Sequence, residues 1–292
     1  MKILLLGASG QLGWELQRAL APLGELVCPG RADGADLAAP ESVEALARRI
    51  APTVIVNAAA YTAVDKAESE PALARLVNTE SVARLARVAQ DGRALLLHYS
   101  TDYVFDGSGD APRDEQAPTG PLSVYGRTKL EGEQAIQASG CSHLILRTSW
   151  VYAARGGNFA KTMLRLAAER EQLRVVNDQV GAPTGAELLA DCSAHALRQC
   201  LANASAGGLY HLAARGHTNW ADYARFVIDQ ARGRGQVLRC REVIGIPSQD
   251  YPTPARRPLN SRLDCRRFEA DFGLRLPGWE TGVVRMLAEV LA

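Results

Sequence analysis

The sequence predicts an α/β protein in which a doubly wound parallel sheet carries helices on both faces. Short apolar segments alternate with amphipathic helical patterns along the first half of the chain, and this alternation is typical of βαβ units. The apolar segment at residues 143–149 shows no alternation of polar and apolar positions. Such a segment is expected for a strand that is buried on both faces.

The predicted elements follow one another at short spacing. In the first half, strands are predicted at residues 2–6, 25–28, 53–57, 94–100 and 143–149, and helices at 11–20, 40–50, 73–90 and 125–138. After residue 150, a helix at 158–170, a strand at 173–176 and a helix at 185–201 are predicted. The chain from residue 207 contains five prolines and many arginines, and it is expected to be rich in loops.

The composition excludes several classes of protein. The 292 residues carry a net charge of +1, and 47% of them are hydrophobic. No global field therefore attracts nucleic acid or an anionic membrane, and no segment approaches the ~20 apolar residues of a membrane span. The six cysteines are scattered without a Cys-x-x-Cys pair. This spacing favours reduced thiols and a cytoplasmic location.

A glycine-rich loop joins the first predicted strand to the first predicted helix, Gly7-Ala8-Ser9-Gly10-Gln11-Leu12-Gly13. Glycines allow a tight turn and close backbone approach, and a helix N-terminus offers amides to a pyrophosphate. The spacing differs from Gly-x-Gly-x-x-Gly, and a tight turn without a ligand stays an alternative. The position directly after the first strand favours a dinucleotide site. We therefore expect a Rossmann-type domain over residues 1–150 and a smaller, mostly C-terminal α/β substrate region over 151–292. Residues 173–201 could return to the first domain.

The second predicted strand bears on the choice of dinucleotide. No acidic residue ends this strand, where one often binds a ribose 2′-hydroxyl. Arg31 follows it, and a guanidinium suits a 2′-phosphate. This favours NADPH but leaves NADH open, because a loop arginine is as often merely solvated. Asp36 and Leu37 lie where a loop can contact the adenine.

A tyrosine and a lysine stand four residues apart in the helix predicted at 125–138. Tyr125 and Lys129 are neighbours on one face of that helix. A cation beside a phenol lowers its pKa towards neutrality, as proton transfer requires. Thr101 follows the strand at 94–100, and its hydroxyl can bind a substrate oxygen that develops charge. A Tyr-x-x-x-Lys pair alone is common, but its combination with Thr101 and the glycine loop indicates a reductase site.

The sequence resembles the extended short-chain dehydrogenase/reductase superfamily and, more narrowly, the dTDP-4-dehydrorhamnose reductase family over nearly its whole length. The segments that carry the resemblance are GASGQLGWEL at 7–16, VNAAAYTAVDKAE at 56–68, HYSTDYVFDG at 98–107, YGRTKLEGE at 125–133, LRTSWVY at 146–152 and DQVGAPT at 178–184. The resemblance implies hydride transfer from NADPH or NADH to the C4 ketone of a nucleotide-linked 6-deoxy sugar.

The resemblance also implies a role for each matching residue. Tyr125 would protonate the ketone oxygen, and Lys129 would lower the Tyr125 pKa and hold the nicotinamide ribose. Thr101 and Asp102 would orient the carbonyl. Trp150 would pack against the sugar, with a core aromatic as the alternative. Further cofactor contacts are expected from five loops and strand ends: Gly7, Gly10, Gln11, Leu12, Gly13, Arg31, Asp36, Leu37, Ala60, Tyr61, Thr62 and Tyr99.

Two weaker expectations come from the same resemblance. Glu15 and Glu187 match acidic positions that the family associates with a magnesium ion at a homodimer contact. Solvated carboxylates, or magnesium as a phosphate counter-ion, are the alternatives. The basic segment at residues 256–261 resembles the family's nucleotide-facing segment, with an ordinary solvated loop as its alternative.

Two other classes of protein share this fold. Nucleotide-sugar epimerases and 4,6-dehydratases keep NAD bound, and dehydratases carry Asp-Glu directly after the threonine. Here Tyr103 follows Asp102, which favours a reductase. A regulatory subunit with this fold would have lost catalytic residues, whereas Thr101, Tyr125 and Lys129 are all present. Catalysis is therefore the simpler interpretation.

Overall fold

The predicted α/β class is confirmed by a computed structural model, which describes residues 1–292 except for the side chain of residue 204. Six parallel strands form the central sheet in the order β10-β5-β4-β3-β1-β2. Their bounds are β1 Lys2–Leu6, β2 Glu25–Val27, β3 Val54–Asn57, β4 Leu95–Thr101, β5 His143–Thr148 and β10 Gly208–His211. The first five lie within one or two residues of their predicted positions, and β10 was not predicted.

Helices cover both faces of this sheet. One face packs against α1 (Gln11–Leu20), α8 (Ala186–Ala202) and α10 (Arg266–Phe272). The other face packs against α2 (Pro40–Ile50), α5 (Ser81–Gly92) and α6 (Val124–Ser139). Alternate residues of each central strand enter the two cores, so that Leu95 and Leu97 meet α8 while Leu96 meets α5. Burial on both faces explains why these strands are mostly apolar, with buried exceptions such as His98 and Arg147.

The helix predicted at residues 73–90 is interrupted. Two short helices, α3 (Val64–Ser69) and α4 (Pro71–Arg75), precede a π-helical turn at Leu76–Glu80, and α5 continues from that turn. The turn carries Asn78, whose side-chain oxygen accepts the Tyr61 N–H at 2.9 Å and whose amide lies 3.2 Å from the Thr128 hydroxyl. The extra residue of a π turn thus directs Asn78 towards the end of β3.

A second group of elements stands beside the sheet. It contains α7 (Phe159–Glu169), α9 (Trp220–Gly233), α11 (Trp279–Val290) and the parallel pair β7 (Gln172–Val176) and β12 (Glu242–Ile246). Two short pairs accompany them, β6 (Val151–Tyr152) with β9 (Thr184–Gly185), and β8 (Val180–Gly181) with β11 (Thr218–Asn219). No helix in the described part of the chain is long and apolar enough to cross a membrane.

The expectation of a loop-rich chain after residue 207 is wrong in part. Three helices (α9, α10, α11) and the strands β10, β11 and β12 stand in that region. In α9 the buried residues recur at helical spacing, among them Ala224, Val227, Ile228 and Ala231. The five prolines lie between the helices and strands rather than inside them. Helical periodicity was therefore a better guide there than proline content.

A buried ion pair joins α6 to β5. Arg147 donates to Glu133 at 2.9 and 2.6 Å, and the two side chains are 4% and 1% exposed. The guanidinium also lies 5.1 Å from the centre of the Phe105 ring. Two charges in a dry core are stable only while each keeps its partner.

Arg147→Met should lower the free energy of unfolding by about 3–5 kcal/mol, because it leaves the Glu133 carboxylate buried without a partner. Adding Glu133→Leu should recover most of that loss, since both charges are then gone. Urea unfolding measures both, with Arg165→Ala on the exposed Arg165–Glu169 pair as a control that changes stability by at most ~0.5 kcal/mol. A double variant less stable than Arg147→Met would contradict this account.

Candidate active site

The glycine loop between β1 and α1 has the geometry of a dinucleotide cradle. Gly7 has φ +81°, and a Cβ there would lie 2.7 Å from the Ala59 nitrogen and 2.8 Å from the Ala58 carbonyl carbon. A Cβ on Gly13 would collide with the Gly7 carbonyl. Gly10 caps α1 without a side-chain hydrogen bond, and the first turn has no acidic residue. The amides at this helix N-terminus therefore suit a pyrophosphate.

Of the other predicted cofactor residues outside α6, most follow β2 or β3, and Tyr99 lies within β4. Arg31 is exposed in a 3₁₀ turn after β2. Asp36 accepts from the Ala38 N–H at 3.0 Å, and the Leu37 carbonyl accepts from the Ser81 hydroxyl at 2.6 Å. These residues lie after the carboxyl ends of their strands, where ligands of open parallel sheets bind.

Two predicted tyrosines have their phenols engaged elsewhere. The Tyr61 hydroxyl, after β3, donates to Glu70 at 2.6 Å, and Ala60 and Thr62 flank it. The Tyr99 side chain is buried between the sheet and α8, where its hydroxyl donates to Ser193 at 2.7 Å. Burial raises the pKa of Tyr99. Tyr99 instead faces the site with its carbonyl oxygen.

Thr101, Tyr125 and Lys129 are brought together by β4 and α6. Ser123 caps α6 by accepting from the Gly126 N–H at 3.1 Å, so Tyr125 lies in the first turn. Thr101 ends β4, and its hydroxyl lies beside that of Tyr125. The Lys129 side chain is buried one turn further along α6. The Lys129 amine donates to the Tyr99 carbonyl at 2.6 Å.

Burial changes the pKa of Tyr125 and of Lys129 in the direction that favours the neutral side chain. It raises the pKa of Tyr125 to about 12, with the Thr101 hydroxyl acting in the opposite direction and Asp102 adding to the rise. Burial lowers the pKa of Lys129 to about 8, against the attraction of Glu133. Tyr125 therefore holds its proton at neutral pH. The expected lowering of the Tyr125 pKa by Lys129 is absent from this structure, because the amine is directed towards Tyr99 and His98.

Asp102 is a buried carboxyl group with one unpaired oxygen. Its Oδ1 accepts from the Thr101 hydroxyl at 3.1 Å, whereas its Oδ2 has no hydrogen-bond partner among the described residues. Burial raises the pKa of Asp102 to about 6, although the Ser261 and Thr101 hydroxyls act to lower it. A buried, unsatisfied acceptor at a strand end is suited to bind a donor group of a substrate.

Trp150 directly follows β5 in an uncommon backbone conformation. Its φ is +48°, and its ring stacks on Trp220 with centroids 3.5 Å apart and planes at 11°. A Cβ on Gly181 would lie 2.8 Å from the Trp150 ring. A strained non-glycine residue is kept only where its surroundings enforce it. Trp220 and Gly181 enforce it here, and neither was predicted as a site residue.

The basic segment at residues 256–261 reaches the same edge of the sheet. Arg257 makes a bidentate ion pair with Asp65 at 3.0 and 2.7 Å. Ser261 is buried beside Asp102, and its N–H donates to the Val180 carbonyl at 2.8 Å. Ser261 was named from the sequence only as part of this segment, and its place beside Asp102 was not predicted, because nothing local distinguishes it from other serines in a basic loop.

Glu15 and Glu187 lie on one cavity of about 500 Å³, away from Tyr125. Glu187 pairs with Arg285 at 2.6 Å, and Glu15 lies 3.6 Å from Arg18. Burial, together with Glu187 and Glu289, raises the pKa of Glu15. The described residues contain no group of three or more His, Cys, Asp or Glu placed to hold a metal ion. These two glutamates therefore form no such group within one chain, and the magnesium site that the resemblance implies at a homodimer contact stays a prediction.

A dinucleotide cradle, an adjacent Thr, Tyr and Lys, and a second group of helices beside the sheet define a short-chain reductase class of protein. Comparisons with known proteins narrow this class. The family model described as "RmlD substrate binding domain" matches residues 1–292. The chain belongs to this family, that of the dTDP-4-dehydrorhamnose reductases, and it is an oxidoreductase.

Relatives and solved structures agree over the full length. The dTDP-4-dehydrorhamnose reductase of Salmonella typhimurium is 56% identical over 293 residues, covering 99% of this chain and 98% of the relative. That of Burkholderia thailandensis is 46% identical, covering 100% of both. The Bacillus anthracis enzyme, solved in complex with NADP, aligns with a TM-score of 0.89 at 31% identity over 99% of both chains. A UDP-glucose 4-epimerase from Thermus thermophilus, in complex with NAD, aligns with a TM-score of 0.81 at 20% identity over 100% of this chain and 99% of that one, and shares the fold.

The raised pKa of Asp102 makes stability depend on pH. The pKa of Asp102 is higher in the folded protein than the ordinary 3.8, so the protonated carboxyl favours the folded state. Its contribution to the free energy of unfolding is complete below pH 3.8 and is lost as the pH rises through about 6. As the pH rises and Asp102 ionises, the wild-type free energy of unfolding should fall by about 3 kcal/mol. Asp102→Asn should not show this fall, because its side chain does not ionise. Urea unfolding should show the variant gaining stability relative to wild type between about pH 4 and pH 7.5. Asp110→Asn, at an exposed position, is the control. An equal difference at both pH values would refute the assignment.

Proposed function

We propose that this chain reduces the C4 ketone of dTDP-4-dehydrorhamnose to the hydroxyl of dTDP-L-rhamnose, with Tyr125 as the proton donor. The observation that carries the proposal is the placement of Tyr125 beside Thr101 at the carboxyl end of β4. The names of the relatives support the substrate. The raised pKa of Tyr125 supports the donor role, because the phenol keeps a proton to give at neutral pH.

The residues of the site divide the chemistry among them. A nicotinamide cofactor supplies the hydride, and the cradle at Gly7 and Gly13, which a Cβ would fill, fits its pyrophosphate. The Tyr125 O–H bond breaks as its proton passes to the ketone oxygen. The single hydroxyl hydrogen of Thr101 is directed at Asp102 Oδ1 in this structure, and it would turn to that oxygen, where negative charge develops. Lys129 would hold the ribose of the cofactor.

Asp102 and Trp150 position the sugar. Asp102 has one unpaired oxygen, which can accept from a sugar hydroxyl. The ring of Trp150 presents an apolar wall at the end of β5, held there by Trp220. We further propose that residues 151–292 form most of the substrate-binding region, with α8 and β10 joining the first domain. The shared core of α8 and α1, and the pairing of β10 with β5, support this division.

NADPH is the proposed cofactor. The complex of the B. anthracis relative with NADP supports this choice, as does Arg31 after β2, where an acidic residue is lacking. We also propose a cytoplasmic homodimer, supported by six free thiols and by the resemblance. Magnesium would need carboxylates from two copies, since Glu15 and Glu187 are paired with arginines within one chain.

Tyr125→Phe should lower kcat by at least ~100-fold while NADPH still binds, because only the acidic hydroxyl is removed. Loss of NADPH absorbance, with the keto-sugar nucleotide generated in situ from dTDP-glucose, measures turnover. Tyr251→Phe, at an exposed tyrosine, is the matched control. If wild type binds NADPH but shows no turnover, the assigned substrate is wrong. Other keto-sugars are then the next substrates to test, and after them a regulatory role.

Arg31→Ala should raise the KM for NADPH about tenfold and change the KM for NADH by less than about twofold. The guanidinium is proposed to bind the 2′-phosphate that only NADPH carries, and one charge-assisted contact contributes about that factor. Initial rates with both cofactors give the comparison. Arg49→Ala, on the exposed end of α2, is the control. Equal effects on both cofactors would assign Arg31 a general electrostatic role instead.

A further inference from the structure

A buried histidine contacts the Lys129 amine. The amine lies 3.1 Å from His98 Nε2 and 2.6 Å from the Tyr99 carbonyl oxygen, and both side chains are nearly inaccessible to solvent. His98 belongs to β4, the strand that ends at Thr101. Two of the three hydrogens of an ammonium are therefore directed at β4, which fixes where the third can point.

His98 stays uncharged in this position. Burial lowers its pKa well below the ordinary 6.5, and the positive charge of Lys129 adds to the effect. A neutral imidazole carries one proton, so one of its nitrogens donates while the other accepts. Which nitrogen faces Lys129 as an acceptor depends on the partner of Nδ1.

That partner is Asn57, the last residue of β3, which pairs in register with His98. The Asn57 amide nitrogen lies 3.2 Å from His98 Nδ1, and its oxygen accepts from the Ala59 N–H at 3.2 Å. Ala59 in turn touches the glycine loop at Gly7. A chain of contacts therefore runs from the cofactor loop through Asn57 and His98 to the Lys129 amine.

The two ring nitrogens of a neutral His98 share one proton, so the nitrogen that does not carry it must accept a hydrogen bond. When the Asn57 amide donates to Nδ1, the proton is on Nε2, and the Lys129 amine must accept it as a neutral group. When Lys129 is an ammonium, Nε2 accepts, and the proton on Nδ1 needs the Asn57 oxygen, which requires the amide to turn over. The orientation of Asn57, the tautomer of His98 and the charge of Lys129 thus change together.

We propose that His98, oriented by Asn57, is a positioning residue that holds the Lys129 amine and sets its charge. This inference rests on the proposed role of the Tyr125–Lys129 site. The other charged or titratable groups around the amine are Tyr125 and Glu133 on α6, and Arg147 of β5, which pairs with Glu133. Arg147 offsets part of the attraction of Glu133 for the amine, and His98 is the titratable side chain that contacts the amine directly.

Lysine-labelled NMR tests the proposal without turnover. The chain has four lysines, so the ¹³Cε signal of Lys129 can be titrated and assigned from its loss in Lys129→Met. His98→Leu should lower the Lys129 pKa by about one unit or more, because the ammonium loses an acceptor. Asn57→Asp should raise it, because a carboxylate accepts from Nδ1–H and keeps Nε2 as an acceptor. His98→Gln, which retains an acceptor, should restore most of the wild-type value.

A second measurement uses wild type alone, in case His98→Leu does not fold. Long-range ¹H–¹⁵N spectra of the five histidines should show His98 neutral throughout, with its proton moving from Nδ1 to Nε2 as Lys129 titrates. His143→Leu, at the first residue of the neighbouring strand β5, is the control and should leave the Lys129 pKa unchanged.

A charged His98, a tautomer that does not change, or shifts of the same sign in His98→Leu and Asn57→Asp would overturn the inference. These outcomes separate the inference from the proposed function. Turnover by wild type with such NMR results removes only the role of His98. If the Lys129 pKa shifts as expected but the protein shows no turnover, the role of His98 stands and the assigned substrate is wrong.

Discussion

The burial of the parallel sheet on both faces is the constraint on which the rest of the structure depends. Its strands are therefore mostly apolar. Polar side chains inside it either have a buried partner, as His98 and Arg147 do, or stand where a strand ends. Asn57, Thr101 and Trp150 all lie at or just beyond the carboxyl ends of β3, β4 and β5. Because parallel strands share one direction, these ends meet at one edge, and distant segments of sequence are gathered into one site.

The features that the sequence predicted are those with local causes. The glycine loop could be recognised because a positive φ at Gly7 and the close approach at Gly13 exclude a side chain, whatever the remainder of the chain does. The spacing of Tyr125 and Lys129 likewise needs only one helix. Strand positions in the first half followed from continuous apolar segments, and they agree with the structure to within one or two residues.

The features that sequence reasoning missed depend on contacts between distant segments. Trp220 holds Trp150 from 70 residues away in the chain, and Ser261 lies beside Asp102 across the sheet edge. The direction of the Tyr99 ring was missed for the same reason, since Ser193 on α8 binds its hydroxyl. Prolines concealed α9 and α11, although they lie in the connections and the helical periodicity was present.

Burial also explains why the pKa of each ionisable group in the site is shifted in favour of its neutral form. The same loss of solvent raises the pKa of Tyr125 and Asp102 and lowers that of Lys129. A phenol with a pKa far above neutrality is always protonated, but it transfers its proton slowly. Bringing that pKa down requires a positive charge near the phenol, and Lys129 is the nearest candidate on the same helix. Its amine is directed at β4 instead, so the charge of Lys129 matters for Tyr125 only when the hydrogen bonds to Tyr99 and His98 permit it. The strand that ends at Thr101 therefore also directs the Lys129 amine, through the Tyr99 carbonyl and His98.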